Sequence, residues 1–269
     1  MKKLLAILLA SLLLLSLVAC GKEETEEKRK ADEAVVHEES KFGYFLYNVN
    51  TDGDYEITGF DYNEVKKIDV EIPSDIGGRP VTGIGDEAFK ALKNIKSVKI
   101  PSSITYIGAH AFYDCDYLTE IVLPDSVITV ETGAFEDCSA LKKITLSKSL
   151  KTLGSYSFKN CAKLEAVTLP DGLTAIEDGA FMGCSSIAAV TVPTTVTILG
   201  DAAFYNCSAL AEITVMGDVA EIGSILLDSC ADGLEVHAKE GSAFEKYAQE
   251  QGYLEAPEIE EEAAGEENN

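Results

Sequence analysis

The chain has no tryptophan, only three methionines and three scattered histidines, His37, His110 and His237. Histidine-based catalysis and histidine-rich metal sites therefore have little to draw on. Basic residues are also scarce: 22 Lys and Arg stand against 46 Asp and Glu, a formal charge of −24 over 269 residues. A nucleic-acid binder must neutralise phosphates with clustered Lys and Arg, so that class is excluded. No H-E-x-x-H, G-x-S-x-G, Walker loop or G-x-G-x-x-G occurs. Carboxylates are plentiful, but nothing marks one pair as catalytic. The expectation is a non-enzyme with no cofactor and no metal. Long apolar runs are missing apart from Leu4 to Val18, 15 residues broken only by Ser11 and Ser16. The whole, 46% apolar and 25% charged, has an ordinary globular balance and the length for a sizeable core.

That apolar run follows Met1-Lys2-Lys3 and ends in Leu17-Val18-Ala19-Cys20-Gly21. It falls short of the ~20 residues needed to span a bilayer and fits a signal-peptide h-region. Small residues before a cysteine at this place resemble the bacterial lipobox. The resemblance implies removal of residues 1–19 and lipidation of Cys20, which anchors the chain to the bacterial membrane on its extracytoplasmic side. Residues 20–40 carry 4 basic and 8 acidic side chains and little apolar surface beyond Val35-Val36. They read as a flexible charged tether, with a short charged helix as the alternative. Residues 255–269, with 7 acidic side chains, read as a disordered acidic tail. The part between, 41–254, is acidic in its own right, with 16 basic and 31 acidic residues.

A repeat organises that central part. Phe89, Phe112, Phe135, Phe158, Phe181 and Phe204 are each 23 residues apart, and so are Cys115, Cys138, Cys161, Cys184, Cys207 and Cys230. An alanine precedes the phenylalanine in five of the six units, Ser157 being the exception. An aliphatic stands five residues before each: Ile84, Ile107, Val130, Leu153, Ile176 and Leu199. After each cysteine comes a short strand pattern, clearest in Leu118-Thr-Glu-Ile121-Val-Leu123-Pro124 and Leu164-Glu-Ala-Val167-Thr-Leu169-Pro170. One such unit cannot bury its own apolar face, so the units must stack, each strand pairing with the next in a parallel sheet. Seven or so coils are expected.

The consensus L-x-x-I-x-L-P-x-x-[LV]-x-x-I-x-x-x-A-F-x-x-C resembles the BspA-like leucine-rich repeat, over roughly Pro80 to Ala238. The resemblance implies a right-handed leucine-rich-repeat solenoid with a parallel β-sheet on one face, an N-terminal β-hairpin cap and a C-terminal helical cap. Residues 41–80 then form the cap, with a hairpin around Thr51-Asp52-Gly53-Asp54, and an enlarged first coil, since Pro73 to Pro101 is 28 residues. The solenoid covers 81–238, and the cap helix at Gly241 to Tyr247 lies within 239–254. The last unit departs from the pattern, with Leu227 in the phenylalanine column.

The phenylalanines read as core. The cysteines invite disulfide or soft-metal readings. Side chains in a ladder all point the same way, however, and the strict spacing argues for one repeated buried position holding inert thiols. Asn48 to Glu56 has the look of a calcium loop, but its twelfth position is Gly59, where a bidentate Glu is required, so a hairpin turn is the better reading. The strand register places one exposed column at Ser97, Glu120, Lys143, Ala166, Ala189 and Glu212, and a second at Lys99, Val122, Thr145, Thr168, Thr191 and Thr214. These columns read either as solvated sheet or as a broad protein-binding face. Tyr113, Tyr117 and Tyr205, near the Phe-to-Cys segments, form an alternative patch. Family resemblance implies adhesion to host, matrix or other cells; with the lipobox, the expectation is a monomer held at the cell surface through Cys20. A structural envelope spacer or assembly subunit is the alternative.

Overall fold

A computed structural model describes residues 40–62 and 66–255, all within one compact unit, Glu39–Asn269. The expected signal peptide, the expected lipidation site Cys20, the expected tether up to residue 39 and the acidic segment from residue 256 lie outside the described residues.

The chain opens with an antiparallel meander, β1 (Ser40–Phe42), β2 (Phe45–Val49) and β3 (Tyr55–Phe60). Asn50 fixes the turn between β2 and β3: its Oδ1 accepts from the amides of Asp52 and Asp54 at 3.1 and 3.0 Å. The first coil then runs through β4 (Ile68–Glu71), β5 (Asp75–Ile76) and β6 (Arg79–Ile84). Its surplus length is a small excursion. β5 and β6 pair as a hairpin across Gly77 and Gly78, at φ +62° and +86°, a region glycine enters without steric cost. After that excursion β6 lies parallel to β3, and the chain enters its 23-residue rhythm.

Each coil is bonded to the next along three lines. The first is a parallel ladder of eight strands: β3, β6, Tyr106–Ile107, Thr129–Val130, Thr152–Leu153, Ala175–Ile176, Ile198–Leu199 and Glu221–Ile222. It counts eight turns where seven or so were expected, because the meander strand β3 itself opens the ladder. The second line is the outer strand of the coils, which from Cys115 onward follows the cysteine. β4, Ile95–Lys99, Glu120–Val122 and Lys143–Thr145 form one parallel sheet, and Ala189–Val192, Glu212–Val215 and Glu235–Ala238 form another. Between the two only a bridge from Lys143 to Ala166 continues the pairing. The third line runs beside the phenylalanines. Each Phe amide donates to the carbonyl of the residue before the next Phe, from 2.7 Å for Phe89 to Ala111 up to 3.1 Å for Phe204 to Leu226.

That third line needs tight turns on both sides of each phenylalanine. Asp114, Asp137, Asn160 and Asn206, each just before a cysteine, all have φ between +57° and +60°. Asn and Asp tolerate this left-handed conformation better than most residues, and Gly183 takes the same place at φ +74°.

Three bonded lines enclose a filled interior. The six phenylalanines are fully buried, with neighbouring ring centroids 5.0–5.5 Å apart and planes within 10° of parallel. Around them lie the buried aliphatics of all three sides. At one end Phe60 of the meander covers Phe89, with centroids 5.6 Å apart. At the other, Leu227 and the helix α1 (Ala243–Glu250) close the core with Phe244, Tyr247 and Ala248. Ser242 caps this helix, its Oγ accepting from the Glu245 amide at 3.1 Å, and Glu245 Oε2 reaches back to accept from the Gly241 amide at 2.6 Å.

The stack gives a direct test. Replacing Phe158, fully buried with a ring above and below it, by Ala should cost about 3–5 kcal/mol and lower Tm by roughly 10 °C. Phe158→Leu should cost clearly less. Calorimetry on both variants checks this, and a loss under ~2 °C for Phe158→Ala would show that the column does not carry the core.

Candidate functional site

The outer strands bury alternate side chains, as in Ile95, Val98, Ile121, Ile144, Val190 and Ile213, so the residues between them face outward. The first exposed column aligns in register as Asp69, Ser97, Glu120 and Lys143, continues over the bridge to Ala166, and resumes as Ala189, Glu212 and Glu235. The second aligns as Glu71, Lys99, Val122 and Thr145, and then as Thr191, Thr214 and His237. Thr168 lies between the two sheets, exposed and outside any strand. The ends of both columns, Asp69 and Glu71, and Glu235 and His237, were missed by the sequence reading. The signal was present in Ile68-x-Val70-x-Ile72-Pro73, a copy of the strand pattern offset by the enlarged coil.

Along these columns charges settle against the coil before them. Ser97 Oγ donates to Asp69 Oδ1 at 2.5 Å, and Lys99 Nζ lies 2.5 Å from Glu71 Oε1. Lys143 is 3.6 Å from Glu120, and His237 Nε2 is 3.7 Å from Glu212. These pairs are exposed, so each is worth little in stability. Their effect is on shape, because each lysine leans one way. Val122, with Lys99 drawn towards Glu71 and the short Thr145 on its other side, is left half exposed at 50%.

The tyrosine patch lies elsewhere, on the turns flanking the phenylalanines. Lys67 sits 4.3 Å above the ring of Tyr117, and Lys90 sits 5.7 Å from that of Tyr113. Tyr156, which the sequence reading did not single out, joins them, with Lys159 at 5.2 Å. The chain's own lysines thus already occupy these rings. Tyr205 is half buried on the same side. The distribution of charge adds a further asymmetry: from Leu164 to Ala238 there is no Lys or Arg, against 11 Asp and Glu.

The cysteine ladder is an interior feature. All six thiols are free, and each Sγ donates to the carbonyl of the phenylalanine one coil earlier, at 3.1–3.3 Å. Burial pushes their ionisation up, to about 12 for Cys115 and Cys207 and to about 11 for Cys230, against an ordinary 9.0. For Cys138, Cys161 and Cys184 the shift is upward for the same reason. A thiol held neutral by the fold ionises first in the unfolded chain. Its contribution to stability is therefore complete below pH 9 and is lost as pH rises towards 11 and 12. Unfolding midpoints in denaturant should fall across that window. Alkylation of the native chain at pH 8 should reach Cys230 before the other five ladder positions, as read by mass spectrometry of peptides. Equal labelling of Cys161 and Cys230 would refute the buried ladder.

Comparison with known proteins agrees with this geometry. The family model for the BspA type leucine-rich repeat region matches in six copies, over residues 60–187 and 107–232. A leucine-rich cell surface protein from Faecalibacterium prausnitzii A2-165 is 30% identical, over 66% of this chain and 54% of that one, with a TM-score of 0.51. The chain thus spans about half the length of that relative. A leucine-rich repeat protein of T. pallidum is 26% identical, over 74% of this chain and 85% of that one, with a TM-score of 0.50. No curated protein matches. Six stacked phenylalanines, six thiols in step with them and the matching repeat model together identify the chain as a member of the BspA-type leucine-rich repeat family.

Proposed function

We propose that this protein is a lipid-anchored bacterial surface protein whose solenoid binds other proteins without catalysing a reaction, as an adhesin for host, matrix or neighbouring cells. The observation that carries the reading is the outer sheet face: side chains aligned in register over successive coils, backed by a filled core and covered by nothing among the described residues. Such a face offers breadth and rigidity rather than a reaction chamber. The F. prausnitzii relative, itself described as a cell surface protein, supports the location. The lipobox-like Leu17-Val18-Ala19-Cys20 supports the anchor, and residues 20–40 supply the reach from membrane to solenoid. With 11 acidic residues and no Lys or Arg over 164–238, the preferred partner is basic, steered in by long-range attraction.

Two measurements test this. Metabolic labelling with an alkyne-bearing fatty acid should mark the chain, and Cys20→Ser should abolish the label and release the protein from the membrane fraction. Label retained by Cys20→Ser would refute anchoring at that residue. Cells displaying the protein should bind at least one member of a panel of matrix proteins and mucins saturably, and several-fold more weakly at physiological than at low salt. Retention by the organism's own surface fraction alone would favour a structural subunit, and binding indifferent to salt would remove the electrostatic part.

A further inference from the structure

The sheet face as a whole lacks the large apolar anchors that dominate protein interfaces. One place on it does not. A hollow of about 360 Å³ opens over Val122, walled by Ser97, Lys99, Glu120 and Pro124. A second, of about 540 Å³, is lined by Phe42, Ile72, Pro73, Asp75, Lys99 and Pro101. Lys99 is the wall they share, and its ammonium is drawn aside to Glu71 at 2.5 Å, so its aliphatic stem runs between them. Phe42 at 48% and Val122 at 50% are among the most exposed large apolar side chains described, and both belong to this trough. At its far end Asp75 is exposed, accepts only from the Gly78 amide and the Ser74 hydroxyl, and forms no ion pair among the described residues.

We infer that this trough is the anchoring site for an extended segment of a partner protein that carries a large apolar side chain near a Lys or Arg. The apolar side chain seats over Val122 against the Lys99 stem, and the cation meets Asp75 beside Phe42. Charge complementarity selects the occupant. The lysine at the trough is already neutralised by Glu71, leaving Asp75 as the unpaired charge, and residues 41–254 as a whole carry 31 acidic against 16 basic side chains. Acidic segments are therefore repelled and purely polar ones find no purchase. The inference rests on the protein-binding reading and adds to it a place and a partner chemistry.

The test uses the purified full-length chain and three blocked decapeptides followed by fluorescence anisotropy: alternating Gly-Arg-Gly-Leu, the same with Glu for Arg, and the same with Ser for Leu. The Arg/Leu peptide should bind saturably. Val122→Arg, an outward substitution that fills the hollow, should weaken it about tenfold, and Asp75→Asn by about threefold. Thr191→Arg, the same charge on the same face outside the trough, should change it less than twofold. Equal unfolding midpoints for the variants show that the fold is kept. The inference is overturned if the Ser or Glu peptide binds as well, if Thr191→Arg costs as much as Val122→Arg, or if none binds. A panel protein retained equally by wild type and Val122→Arg cells would likewise sink the trough while leaving protein binding intact, whereas an empty panel would sink the binding reading itself.

Discussion

A coil of 23 residues has no inside until another coil lies on it, and the rest of the molecule follows from making that stacking exact enough to bond. Three lines of backbone hydrogen bonds run around the perimeter, so each coil is a translated copy of its neighbour. Translation brings each position onto its own counterpart, and side chains must then tolerate themselves as neighbours. Phenylalanine on phenylalanine does, in offset parallel stacks. A thiol does, because its hydrogen goes to a backbone carbonyl rather than to the next thiol. Charge does not. The exposed columns accordingly set acid against cation from coil to coil, Glu71 against Lys99 and Glu120 against Lys143. Within these two columns the in-register pair of like charges, Glu212 and Glu235, has His237 beside it.

This self-compatibility explains what was legible in the sequence. The phenylalanine and cysteine columns, the strand after each cysteine and the faces of that strand repeat with a fixed step, so reading one unit reads them all. The eight-strand ladder was less visible. Most of its strands are two residues long, too short for alternation to appear, and only the aliphatic column ending in Leu199 hinted at it. The turns beside the phenylalanines left a trace in the Asp, Asn or Gly before the cysteines, intelligible once φ is known to be positive there. The break in the outer sheet at the coil of Ala166 and Thr168 left none: its residues differ little from those of the coils beside it.

The six thiols show how spacing can override cysteine count. Six cysteines in a chain proposed to be exported would by number alone be read as a disulfide framework. Here each thiol donates a hydrogen bond to a backbone carbonyl of the packed coil, and pairing two rungs would forfeit two such bonds and turn two side chains against the direction the coil gives them. Burial also withholds the thiolate that exchange chemistry needs. The ladder is protected by the same stacking that it helps to fill.

Binding, by contrast, cannot reside in what repeats. A column of identical residues presents the same contact at every coil and so defines no single place for a partner to stop. Specificity needs departures from the repeat, and these gather at the first coils. The five surplus residues of the enlarged coil carry Asp75 out into solvent, the meander brings Phe42 alongside, and Val122 stands where the later coils have threonine. Each departure has a small cost to the fold: a hairpin that interrupts the rhythm, an aromatic on an edge strand, an aliphatic left in water. Positions that break the local rule without helping the stack are where function is expected. The coils over 164–238, with 11 carboxylates and no Lys or Arg, fit a different part in the proposed binding, drawing a cationic partner in before the irregular coils hold it.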